Sequence, residues 1–122
     1  MRGADLLAQS LSNAGVDVIF SLSGNQIMPL YDACIDVGIR IIHTRHEGAA
    51  VYMAEAYAQL TGGIGVALIT AAPGFASGLG PLFMATAAEN PILLLSGDSP
   101  VTQDGKGAFQ EFDQISVSAP LT

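Results

Sequence analysis

Four short apolar runs constrain this chain more than any other feature. They are Val16–Phe20, Ile39–Ile42, Ile64–Thr70 and Ile92–Ser96, all too short for core helices and rich in β-branched residues or leucine. Between them lie segments whose apolar residues recur at helical spacing. Asp5–Ala14 carries Leu6, Leu7 and Leu11, and Met28–Val37 carries Leu30, Ala33, Cys34 and Val37. Glu47–Leu60 carries Ala50, Met53, Ala54, Tyr57 and Leu60, and Phe75–Ala88 is alanine-rich. Gly15, Gly38, the Gly62–Gly63 pair and Pro91 close these segments in turn. Strand and helix therefore alternate with short connections, which predicts an α/β fold: one parallel β-sheet flanked by helices on both faces. Continuous apolar runs are what strands covered on both sides require. Ligands of such sheets sit beyond the carboxyl ends of the strands. The segments to search are Ser21–Gln26, His43–Glu47, Thr70–Ser77 and Gly97–Gln110.

At 122 residues the chain is one domain, residues 1–122. Half of it is apolar and only 12% is charged, which excludes a disordered chain. A small domain has much surface for its core, so with few charges part of that surface must be apolar, the mark of an interface. The expected state is a homodimer or higher oligomer. The net charge is −7, and the four basic residues Arg2, Arg40, Arg45 and Lys106 are scattered. Nucleic acid is excluded as a partner, because phosphate binding needs clustered cations. The lone Cys34 forms no internal disulfide and reads as a small core residue. A reducing, cytoplasmic location is expected, with no targeting segment and no membrane partner.

Within the searched segments, Glu47 has two readings. Thr44-Arg45-His46-Glu47 fits a capping box, with Thr44 capping the helix and Glu47 returning the bond. The functional alternative is a carboxyl group held in a dry cleft, ready to share a proton with a ligand. Pro73 and Gly74, among Ala71, Ala72, Ala76, Ser77 and Gly78, make a strand-to-helix turn of little bulk. Such a turn either packs a helix tightly on the sheet or lets the backbone approach a ligand. Neither glycine-rich phosphate signature is present. His43 and His46 lack further ligands at metal-site spacing, so no metal site is expected. Phe109-Gln110-Glu111-Phe112, taken alone, reads as a helix start.

Taken together, a series of motifs resembles one family: Gly24–Pro29 with Tyr31-Asp32, Arg45-His46-Glu47-Gly48-Ala49-Ala50, Ala56-Tyr57-Ala58 with Thr61-Gly62, Ala72-Pro73-Gly74, Gly97-Asp98 and Ala108-Phe109-Gln110-Glu111. The chain looks like the N-terminal, pyrimidine-binding domain of the thiamine diphosphate (ThDP) enzymes of the acetolactate synthase group. The resemblance runs over nearly the whole chain. It implies that Glu47 is catalytic and binds the cofactor, hydrogen-bonding N1′ of the aminopyrimidine so that N4′ can take the thiazolium proton. It implies that Pro73, Gly74 and Ser77 border the pyrimidine. Asn25, Phe109 and Gln110 match positions on the substrate side.

The resemblance further implies a 2-oxo acid decarboxylase or carboligase acting on a small 2-oxo acid. Ala72-Pro73-Gly74-Phe75, in place of the family's usual G-P-G turn, is closer to the branch of 2-hydroxyacyl-CoA lyase and oxalyl-CoA decarboxylase, with an acyl-CoA substrate. A non-catalytic pairing or regulatory module is the reading from a different class. In the family this domain continues through a further helix and an apolar strand. A separate diphosphate-binding domain holds Mg2+ through a G-D-G…N motif, and any FAD belongs to a middle domain. The chain is therefore expected to be a fragment of a longer multidomain enzyme, inactive alone, whose partner is that diphosphate-binding domain.

Overall fold

The computed structural model describes residues 1–122. Helix α1 (Gly3–Asn13) leads into strand β1 (Val18–Ser21), and a 3-10 turn (Asn25–Ile27) runs directly into α2 (Met28–Asp36). Then follow β2 (Arg40–His43), α3 (Glu47–Thr61), β3 (Gly65–Ile69), α4 (Pro73–Ala87) and β4 (Ile92–Ser96). A long irregular segment with one 3-10 turn (Val101–Gln103) precedes the short α5 (Gln114–Ser118) and a last 3-10 turn (Ala119–Leu121). All strand pairs are parallel and the order is β2-β1-β3-β4, as the α/β reading requires.

Two apolar cores cover the two faces of the sheet, because successive side chains of a strand point to opposite faces. Ile19, Val66 and Leu68 pack with Ala8, Leu11, Leu30, Ala33 and Cys34 of α1 and α2. Their neighbours Val18, Phe20, Ala67 and Ile69 pack with Ala50, Val51, Ala54 and Phe75 of α3 and α4. β1 and β3 are buried along their whole length, as their sequences predict. β2 and β4 are only partly covered, against the reading of all four as fully buried. They are the edges of the sheet, so each has one flank with no neighbouring strand.

α3 and α4 cross closely because their contact residues are small. Pro81 lies inside α4 and has no N–H to give the Ser77 carbonyl four residues back. Gly48 of α3 faces that oxygen, and a β-carbon at Gly48 would lie 3.1 Å from it. No helix is long and apolar enough to cross a membrane.

Candidate active site at the carboxyl ends of β1 and β3

The chain leaves β1 toward β2 and returns across β1 to reach β3. The loops after β1 and β3 therefore diverge, which makes the ends of these two strands the switch point whose crevice is the place where α/β sheets bind ligands. All four searched segments meet here. A β-carbon at Gly24, in the loop after β1, would sit 2.5 Å from Thr70 Cβ at the end of β3. That position accepts only glycine without movement.

Glu47 stands at the first residue of α3, half-buried, on the rim of this crevice. The helix is capped by His46, whose Nδ1 accepts the Gly48 N–H at 3.0 Å. This corrects the capping-box expectation. Thr44 is buried at the strand end, where its hydroxyl donates to the carbonyls of Ser21 (3.3 Å) and His46 (3.0 Å). The helix therefore begins at Glu47, two residues later than a box capped by Thr44 would start it, and the Glu47 carboxyl is not used in capping. Both ion pairs of the chain belong to Arg2, so no cation neutralises Glu47 either. A carboxylate in a first helical turn is nevertheless favoured by the helix dipole.

Gly74 faces this carboxyl. A β-carbon there would lie 3.2 Å from Glu47 Oε1 and 2.8 Å from Thr70 Cγ2. Gly74 is the second residue of α4, which starts at Pro73 rather than at Phe75. The turn before it is strained: Ala72 has φ +49° and ψ −103°, a region that glycine dominates.

A polar network seals the floor of the crevice. Thr70 Oγ1 donates to Gln26 Oε1 (2.5 Å), and Gln26 Nε2 donates to Gln110 Oε1 (2.8 Å). Ser96 Oγ donates to the Thr70 carbonyl (3.2 Å). Buried Gln114 accepts the Ala72 N–H on Oε1 (3.2 Å) and gives its own N–H to the Gly97 carbonyl (3.0 Å).

Of the residues singled out in sequence, Glu47 and Gly74 meet directly, and Gln110 joins the network through Gln26. Pro73 is exposed on the first turn of α4. The Ser77 hydroxyl turns back to the Pro73 carbonyl (2.9 Å). Asn25 is exposed in the 3-10 turn, and Phe109 is 79% exposed. His43 and His46 do separate work: His43 Nε2 lies 3.4 Å from Ser23 Oγ, while His46 caps α3. The segment Phe109–Phe112 is not a helix start. Gln110 has φ +62°, and Glu111 folds the preceding loop by accepting the N–H groups of Gly105, Gly107 (2.8 Å) and Ala108 (3.0 Å). Those bonds, that of Gly105 foremost, hold the Glu111 carboxyl below the usual carboxylate range.

Sequence reasoning missed Gln26, Thr70, Ser96 and Gln114. The first two lie inside the searched segments, where a polar side chain at a strand end was the available signal. Gln114 lies beyond them and carried none.

The chain matches the model of the thiamine pyrophosphate enzyme N-terminal TPP-binding domain over residues 1–117. It is 42% identical over 120 residues to the 2-hydroxyacyl-CoA lyase 2 of Danio rerio, covering 98% of this chain and 19% of that protein. The Homo sapiens 2-hydroxyacyl-CoA lyase 2 is 43% identical over 120 residues, with the same coverage of 98% and 19%. The acetolactate synthase large subunit IlvG of Mycobacterium tuberculosis is 37% identical over 121 residues, 99% of this chain and 22% of that protein. The chain thus spans about a fifth of the length of these curated relatives.

Proposed function

The chain belongs to the thiamine pyrophosphate enzymes, as their N-terminal TPP-binding domain, and on that premise we propose that the crevice beside Glu47 takes the aminopyrimidine ring of thiamine diphosphate. The observation that carries this reading is a half-buried carboxyl, unused by the fold, facing a glycine. The missing side chain at Gly74 lets the start of α4 come up against the Glu47 carboxyl, so that a ring bound beside it would meet backbone and no intervening side chain. When bound, the cofactor supplies an acidic thiazolium carbon and an electron sink for making or breaking carbon–carbon bonds.

In this reading Glu47 is the catalytic residue and holds a proton at ring nitrogen N1′. The His46 cap fixes the start of α3 and with it the direction of the carboxylate. Pro73, Gly74 and Ser77 line the ring through backbone and bulk, since the Ser77 hydroxyl is engaged within α4. Asn25, Phe109 and Gln110 face the substrate. No group of three or more His, Cys, Asp or Glu converges on a point that could hold a metal ion. In this reading Mg2+ and the diphosphate belong to a separate domain. The exposed apolar side chains Tyr52 and Met53 of α3 and Phe83 and Met84 of α4 suit burial against a second copy of the chain.

For the whole protein we propose a cytoplasmic, acetolactate synthase-like decarboxylase or carboligase of small 2-oxo acids. A second reading, 2-hydroxyacyl-CoA lyase, is favoured by two observations. Identity is 42% to the lyase of Danio rerio against 37% to the acetolactate synthase of Mycobacterium tuberculosis, and the turn reads Ala72-Pro73-Gly74-Phe75. Assays of the whole protein with pyruvate and with a 2-hydroxyacyl-CoA separate the two.

Calorimetric titration of the 122-residue chain with ThDP and Mg2+ tests the division of labour. Half a pocket for a neutral ring gives millimolar affinity at best, about −4 kcal/mol. Low-micromolar binding would place a diphosphate site within this chain and overturn the assignment.

A further inference from the structure

We infer that Gln114 is the positioning residue of the Glu47 crevice: its side-chain amide holds Ala72 in a conformation alanine disfavours, and so sets the place of Gly74 opposite the Glu47 carboxyl. In functional terms this rests on the aminopyrimidine reading above.

Ala72 is the residue through which β3 hands over to α4. Its φ of +49° with ψ −103° resembles the first central residue of a type II′ turn, a place taken by glycine. A residue other than glycine is strained there and persists only where its surroundings impose the geometry. Gln114 supplies that imposition from 42 residues away. It is 9% exposed, and all its side-chain bonds fall at the carboxyl ends of β3 and β4. Oε1 accepts the Ala72 N–H at 3.2 Å and lies 3.2 Å from Ser96 Oγ, and Nε2 donates to the Gly97 carbonyl at 3.0 Å.

A second contact from the same segment acts on the same turn. The Phe112 ring meets Phe75, in the first turn of α4, edge-on with centroids 6.5 Å apart. Two residues after Ala72 comes Gly74, whose missing β-carbon would lie 3.2 Å from Glu47 Oε1. A change in the Ala72 dihedrals swings the first turn of α4 and moves that backbone relative to the carboxylate. Gln114 itself does not reach the reacting groups; it acts through Ala72.

A four-protein cycle on the 122-residue chain tests this: the parent, Gln114→Met, Ala72→Gly and the double variant. Methionine keeps the length of glutamine and removes its hydrogen bonds. Glycine adopts the Ala72 geometry without help. Gln114→Met is expected to raise the unfolding equilibrium constant by about tenfold or more in the alanine background, the worth of a buried hydrogen-bonded group. With glycine at 72 the loss shrinks by severalfold. NMR supplies the readout at the site: the Gly74 amide and Glu47 Cδ resonances shift in Gln114→Met and return toward parent positions in the double variant. If Gln114→Met does not fold, Gln114→Glu, which keeps an oxygen for the Ala72 N–H, takes its place.

Equal losses in both backgrounds, or unmoved Gly74 and Glu47 resonances, overturn the inference, since a generic packing role predicts just that. Titration of the parent with 4-amino-5-hydroxymethyl-2-methylpyrimidine addresses the functional reading separately. Absence of binding there sinks the pyrimidine site while leaving the Gln114–Ala72 coupling as measured.

Discussion

Glu47 Oε1 lies 3.2 Å from the point that a β-carbon on Gly74 would occupy, and the same point is 2.8 Å from Thr70 Cγ2. These residues come from the starts of α3 and α4 and the end of β3, and they enclose one small volume beside a carboxyl group. Its contents depend on one residue having no side chain.

Gly74→Ala is therefore expected to behave against helix propensity. In an open helix the change stabilises by about 0.5–1 kcal/mol. Here the added methyl presses on Thr70 and Glu47, and overpacking costs about 1–3 kcal/mol. The net expectation is a loss of roughly 1–2 kcal/mol in urea unfolding. A gain would mean that the crevice is looser than the geometry states.

Glu47→Gln separates chemistry from fold. The carboxyl caps nothing and pairs with nothing, so the stability of the chain should change little. In the whole protein, exchange of the cofactor's thiazolium proton in deuterated water should slow by roughly a hundredfold or more, the range of general acid–base groups. An unchanged exchange rate removes Glu47 from the catalytic role.

Acid should loosen the loop before α5 through Glu111. Its carboxyl is held below the ordinary range, by the Gly105 N–H first, then by those of Ala108 and Gly107. A carboxyl lowered in the folded state contributes fully above its unfolded pKa, about 4.3, and loses that contribution as pH falls through the lower folded value. Amide exchange at Gly105, Gly107 and Ala108, corrected for intrinsic rate, should speed up below about pH 4. In Glu111→Gln it should be fast at every pH.

Association should follow from the uncovered apolar side chains of α3 and α4, with Tyr52 49% and Phe83 54% exposed. Light scattering of the isolated chain at high micromolar concentration should show dimers or larger species. Tyr52→Lys with Phe83→Lys should return it to monomer. A clean monomer for the parent chain would count against this face as the interface.

The elements, and the two-sided burial of β1 and β3, were legible in the sequence because they depend on local pattern. Gly65–Ile69 must be a strand covered on both faces, since Val66 and Leu68 alternate with Ala67 and Ile69 and all four are apolar. Glu47 was legible as a candidate because it follows a strand and opens a helix. Sequence motifs also tied it to its family, but not to its neighbours. Two residues, Thr44 and His46, could each cap α3. The choice fell to His46 because Thr44 is buried against the Ser21 carbonyl, a contact made only once β1 and β2 pair. Phe109–Phe112 read as a helix start because nothing local reveals that Glu111 will gather the amides of the preceding loop. Gln26, Thr70 and Gln114 meet only because the order β2-β1-β3-β4 brings three distant strand ends together. Local periodicity determined which segments are helix and strand. The crevice was decided by long-range register, because its groups lie tens of residues apart and only the folded sheet puts them within hydrogen-bonding distance.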